Sequence, residues 1–380
     1  MDTTEPEQTR ADLIVMPWLR LREPLSFGGF QFRSISEQRS FDNEVERESF
    51  QRLVEVHREI SGTRCREMTL VSARDNATLA VTEEFVQTNL EALEIAVDCL
   101  TMAGLATREF FCVGGMRYFN AASFEWFRYA YPIHPQRIHA WSRTRFGETF
   151  HLHDLQGFRR VAPIQCLCDP LSVDRALLQA LERVTERAIN GEVAAGKLLL
   201  AVRWFWHGNR DETFTDIRWE IGIMASALEQ ALDVQGAEAL GGALQGRFEP
   251  VSQLVGQSQE ITKEWAIDFY LCRHEPIHGN RIPNPRWERY VCHPTMASFV
   301  FPLALKCALA ELGDYQLSTE DEGRIDAVPR LLSVQKPDRW RDEISCNLTR
   351  WQKIVQESVL ARTVRRAAAE ALAGVKVSGN

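Results

Sequence analysis

The sequence predicts an α+β fold. A mixed α/β domain occupies residues 1–165, an all-α bundle residues 166–315, and a loop with a long C-terminal helix residues 316–380. Three observations carry this division. Short apolar segments alternate with polar residues and with Pro and Gly through the first part, the pattern of strands and turns. After Pro163 the apolar residues recur at helical spacing. The last part places Trp340, Ile344, Leu348, Trp351 and Val355 along one helical stripe.

Taken in order, Leu13–Met16, Trp18–Leu21 and Phe27–Phe32 read as strands broken by Pro17, Pro24 and the Gly28-Gly29 pair. Residues 40–60 lean helical, and residues 68–82 return to β-prone composition. Residues 82–105 form a helix with Val86, Leu90, Leu93 and Leu100 on its apolar side. The aromatic-rich stretch 108–131 reads as strands. In the second part five helices are predicted, centred on 174–188, 193–206, 215–233, 258–273 and 296–312. The four glycines of 236–246 mark a weakly structured connection, and 314–336, with Pro329 inside it and Pro337 directly after it, a loop.

Composition narrows the function. Forty-five per cent hydrophobic and 25% charged residues are globular values. Forty-four basic against 52 acidic side chains give a net charge of −8, so nucleic-acid binding has to come from a local patch. Nine cysteines without a Cys-x-x-Cys pair argue against a disulfide scaffold or a Cys-only zinc module. The acidic N-terminus and the lack of an 18-residue apolar run predict neither a secretory signal nor a membrane span, hence a cytoplasmic chain with reduced thiols. No phosphate-cradling loop, dinucleotide fingerprint or Gly-x-Ser-x-Gly elbow occurs.

The chemistry concentrates in Asp268-Phe-Tyr-Leu-Cys-Arg-His-Glu-Pro-Ile-His-Gly279. A histidine with an ordinary pKa can move the proton of a ribose 2′-OH, and an arginine can hold the extra charge of a phosphorane. Tyr270, Arg273, His274, His278 and Gly279 follow Tyr-x-x-Arg-(Asn/Asp/His)-x3-His-Gly, and Ala227-Leu-Glu229 precedes them on the previous helix. In these positions the chain resembles the HEPN superfamily of nucleotide-binding helical proteins, over roughly 140 residues. The resemblance implies a metal-independent endoribonuclease leaving 2′,3′-cyclic phosphate ends, acting as a homodimer through the helical domain. It also implies a toxin or abortive-infection effector of anti-phage defence, under a phage- or antitoxin-derived regulator. Arg273 and His278 are then the catalytic pair, His274 the polar supporter and Glu229 an orienter. Arg281, Arg286 and Arg289 then supply phosphate contacts to RNA, the acidic overall charge suits a restricted substrate such as a tRNA loop, and no cofactor or metal is required. Pro276 predicts a kink or helix end between Arg273 and His278.

Two other readings share the stretch. A catalytically silent domain of the same fold would bind RNA or a partner without cutting. His274-Glu275-x-x-His278 is also the zincin pattern, two histidines for zinc and a glutamate for water, which would make a metallohydrolase. A further donor set, Cys272, His274, His278, Cys292 and His293, matches no standard zinc spacing. Elsewhere, six arginines interleave with aromatic residues over 128–160, a pattern suited to single-stranded RNA or to an ordinary core strand with Arg on its wet face.

Overall fold

A computed structural model describes residues 11–39, 41, 43–74, 80–107, 112–113, 116–117, 121–144, 147–154, 157–163, 170–210, 217–253, 259–277, 292–334 and 348–377. The chain forms two compact units. One contains residues 1–104 and 120–173, the other residues 105–119 and 174–380.

The first unit is built on an antiparallel sheet. Its strands are β1 (Ala11–Met16), β2 (Leu25–Phe27), β3 (Phe30–Ser36), β5 (Glu67–Ala73), β6 (Val81–Thr82), β9 (Phe127–Tyr131), β10 (Arg137–Thr144) and β11 (Gly147–Asp154). The order is β11-β10-β9-β1-β5-β3-β2, with β6 also paired to β1. Five of the six residues of β1 are buried, as its central place demands. Gly28, at φ 54°, supplies the left-handed residue of the tight β2–β3 turn. The expected strand at Trp18–Leu21 is instead a turn ending in an isolated bridge from Leu21 to Leu171.

Helix α1 (Glu44–Val56) starts at Asn43, whose side chain accepts a hydrogen bond from the Glu46 amide at 2.9 Å. It buries Phe50, Leu53, Val54 and Val56 against Leu13, Val15, Tyr129 and Ile138 of the sheet. Strand β4 (His57–Arg58) then pairs in parallel with β12 (Arg160–Val161). Helix α2 (Glu83–Leu105) takes the span its periodicity predicts. The aromatic stretch holds more than strands: η1 (Ala121–Phe124) is a 3-10 turn, ahead of β9.

The second unit carries the small hairpin β7 (Cys112–Val113) and β8 (Met116–Arg117) and, among the described residues, eight helices. These are α3 (Arg175–Ile189), α4 (Val193–Gly208), α5 (Ile217–Leu232), α6 (Ala237–Phe248), α7 (Glu260–Ile277), α8 (Cys292–Glu311), α9 (Thr319–Val334) and α10 (Leu348–Val377). Helix α5 is central, packing on α4, α7 and α8, while α6 lies on α7 and α9 on α10. The part of the long terminal helix before residue 348, with Trp340 and Ile344, lies outside the described residues.

Two expected loops are helices. The glycines of 236–246 do not break α6. A Cβ on Gly241 would stand 3.0 Å from the Lys263 carbonyl and the Ile267 side chain, so glycine lets α6 approach α7 closely. Residues 319–334 form α9 despite Pro329, because Ser318 and Asp321 make a reciprocal cap. The Ser318 amide donates to Asp321 at 2.9 Å and the Asp321 amide to the Ser318 hydroxyl at 3.1 Å. Asp321 also pairs with buried Lys306 at 2.5 Å, and Asp326 with Arg362 at 3.4 Å. Asp321 and Asp326, in the expected loop, are thus buried ion-pair partners. No helix among the described residues is long and apolar enough to cross a membrane.

Candidate active site

Three of the residues singled out by the motif meet at one place. On α5, Ala227 and Leu228 are fully buried and anchor the helix, which turns Glu229 outward into a cleft. On α7, Tyr270 and Arg273 are three residues apart and therefore neighbours on one face. The Arg273 guanidinium forms an ion pair with Glu229 Oε2 across 44 residues of sequence. Tyr270 donates its hydroxyl proton to Glu229 Oε1 at 3.0 Å, and the Gly236 amide donates to the same oxygen at 3.1 Å. The guanidinium also lies 5.2 Å from the centre of the Tyr270 ring, within cation–π range.

The chain between α5 and α6 is shaped for this arrangement. Asp233 at φ 52° and Gly236 at φ 94° reverse the chain and aim the Gly236 amide back at Glu229. Both oxygens of the Glu229 carboxylate are therefore engaged, one by Arg273 and the other by Tyr270 and Gly236. Burial raises the Tyr270 pKa, and the Glu229 hydrogen bond and charge raise it further, against a lowering by Arg273. The phenol remains protonated and continues to donate at neutral pH.

The cleft has a volume of about 570 Å³ and is open to solvent, with Lys197, Asp233 and Gln230 completing its wall beside Glu229, Tyr270 and Arg273. Lys197 from α4 pairs with Asp233. Two cations and two anions in pairs make a polar, formally balanced surface. Its chemical capacity is to bind an anion at Arg273 while Glu229 holds the guanidinium in register.

The other predicted residues fall where less is described. His274 lies in the last described turn of α7, without a described side chain, and α7 is described through Pro276 to Ile277. His278, Arg281, Arg286 and Arg289 lie outside the described residues. Glu311, a carboxylate on α8 downstream of the His274-Glu275-x-x-His278 pattern, pairs with Arg247 at 3.0 Å. In the 128–160 stretch, Arg128 is a core residue rather than a phosphate contact. It is 2% exposed, bonded to Asp12 at 2.8–2.9 Å, and lies over the Trp141 ring at 4.2 Å. Arg160 likewise stacks on Phe127 at 4.1 Å.

Sequence reasoning placed His293 with Cys272 in a candidate donor set but missed Asp268 as the partner of His293. These join the start of α8 to α7 through a 3.1 Å contact from His293 Nε2 to Asp268 Oδ2. Their separation by 25 residues hides the pair from any local pattern. No protein-family model, curated protein or solved structure matches the chain.

Proposed function

We propose that the helical unit is a metal-independent endoribonuclease of HEPN type, acting as a homodimer in toxin-like or anti-phage RNA cleavage. The observation that supports this reading is the single network of Glu229, Tyr270 and Arg273 on the cleft, three residues that the motif singled out from two separate helices. In this reading Arg273 takes the developing negative charge of the phosphorane, and Glu229 is a positioning residue that holds the guanidinium. His278 moves the proton of the ribose 2′-OH or of the leaving 5′-oxygen, with His274 in support. The 2′-OH attacks the adjacent phosphorus, the P–O5′ bond breaks, and the products are a 2′,3′-cyclic phosphate and a 5′-hydroxyl. Arg281, Arg286 and Arg289 hold flanking phosphates. A tRNA loop is the proposed substrate and the cytoplasm the proposed compartment.

The test is cleavage of end-labelled total RNA and tRNA without added metal, comparing wild type, His278→Ala and Arg273→Lys. Cyclic-phosphate ends from wild type, with a loss of about 100-fold or more in either variant, support the reading. RNA binding without cutting, unaffected by both substitutions, would move the domain to the catalytically silent class.

A further inference from the structure

Interleaved with Tyr270 and Arg273 along α7, but on a different face of that helix, two side chains converge with a third of different chemistry. Asp268 and Cys272 stand four residues apart on α7, so they share a face, and His293 comes to them from the first turn of α8. One donor atom from each lies within 4.8 Å of the others. Cys272 is 1% exposed and His293 is fully buried, while the Asp268 side chain keeps 22% of its surface in water. Trp265 and Phe269 place their rings 6.4 and 5.8 Å from the His293 ring. The nitrogen that faces Asp268 is Nε2, at 3.1 Å, and it is the ring's donor atom in the cluster; Nδ1 is buried without a hydrogen-bond partner.

We infer that Asp268, Cys272 and His293 form a zinc site that joins α7 to α8. A thiolate, an imidazole and a carboxylate are the donors that suit Zn²⁺, and the thiolate excludes the hard cations Mg²⁺ and Ca²⁺. With both anionic ligands deprotonated, the site and its divalent ion are together neutral, which a buried place requires. Zinc bonds of about 2.0–2.1 Å to N and O and about 2.3 Å to S put tetrahedral ligand atoms about 3.3–3.6 Å apart. The His293–Asp268 pair is already at 3.1 Å. No separation exceeds that spacing by more than about 1.5 Å, a gap that side-chain rotation closes. The partly exposed Asp268 side leaves the fourth position to water.

A Cys-His-Asp nucleophile would use the same residue types, but a thiol as buried as Cys272 cannot reach a substrate, whereas a metal ion needs no such access. The ion would act on structure. It fixes the turn of α7 that carries Tyr270 and Arg273, and it ties together the two ends of the segment that carries His278. The inference does not depend on RNA cleavage, because metal content reads the cluster and cleavage reads Arg273 and His278.

The test uses the full chain produced with zinc supplied, analysed for metal, then exchanged to Co²⁺ and examined by X-ray absorption. One zinc per chain, one sulfur among nitrogen and oxygen scatterers, and a single-thiolate charge-transfer band are expected. Cys272→Ser should abolish the band, and Cys272→Ser with His293→Gln should reduce metal to background. The absorption and cobalt spectra need only the wild-type chain, so they decide even where the variants fail to fold. Metal-free protein, two or more sulfur ligands, or full metal content in the double variant would overturn the site.

Discussion

At the scale of single residues, Glu229 governs the candidate site because its two oxygens take three donors. Glu229→Gln keeps the shape and removes the charge. We expect RNA cleavage to fall at least 10-fold, and stability by about 1–3 kcal/mol from the lost charge-assisted bonds. The Tyr270 phenol should also ionise at lower pH, since a carboxylate that raises its pKa is gone, and an absorbance titration checks this. His57 offers a second residue-scale test in the other unit. Burial lowers its pKa to about 3, and Arg160 and Arg58 add to the shift. The unfolded chain therefore binds a proton near pH 6.5 that the folded chain refuses. Stability is fully present above about pH 6.5 and is lost as pH falls toward 3, at up to about 1.4 kcal/mol per unit. Urea unfolding of wild type and His57→Phe at pH 7.5 and 5 should show this slope in wild type and a flatter one in the variant.

At the scale of elements, the two helices hidden from the sequence pattern are explained by close packing and by buried charge. A Cβ on Gly323 would lie 2.6 Å from the Val359 Cα of α10, a backbone atom that cannot yield. Gly323→Ala is expected to destabilise the protein by about 1–3 kcal/mol through forced separation of α9 and α10, although alanine is the better helix former. Chemical denaturation measures it, and a neutral or stabilising result would contradict the packing argument. Helix α9 also owes its place to the Ser318–Asp321 cap and to Lys306, which reaches Asp174 at 2.7 Å as well as Asp321. The cap was legible, as Ser-x-x-Asp ahead of Ile325, Val328, Leu331 and Leu332, but Pro329 in the stretch and Pro337 just after it hid the helix.

At the scale of the whole molecule, a net charge of −8 means that the proposed RNA substrate would have to be drawn by local cations rather than by a global field. The proposed ribonuclease is a homodimer, so light scattering should give a mass twice 43.5 kDa at assay concentrations. A monomer that still cleaves would remove the dimer from the proposal. The two units differ in how they are held. The first relies on antiparallel pairing around β1 and a mixed aliphatic and aromatic core, the second on helix faces joined by ion pairs such as Lys306–Asp321 and Arg362–Glu322.

How much could be read in advance follows the range of the signals. Local patterning located β1, α2, α3, α4 and α5, because amphipathic patterns are local and repeat every two or 3.6 residues, whereas the expected strand Phe27–Phe32 straddles the β2–β3 turn and β3 runs on to Ser36. The motif identified Tyr270, Arg273 and Glu229 as a related set, since the residue types and their order are written in the chain. Only the tertiary structure placed the Arg273 guanidinium on Glu229, buried Arg128 on Asp12 and carried His293 to Asp268 and Cys272. Those pairings join residues 21 to 116 positions apart, where no local period reaches, and the packing of whole helices and strands decides which side chains meet.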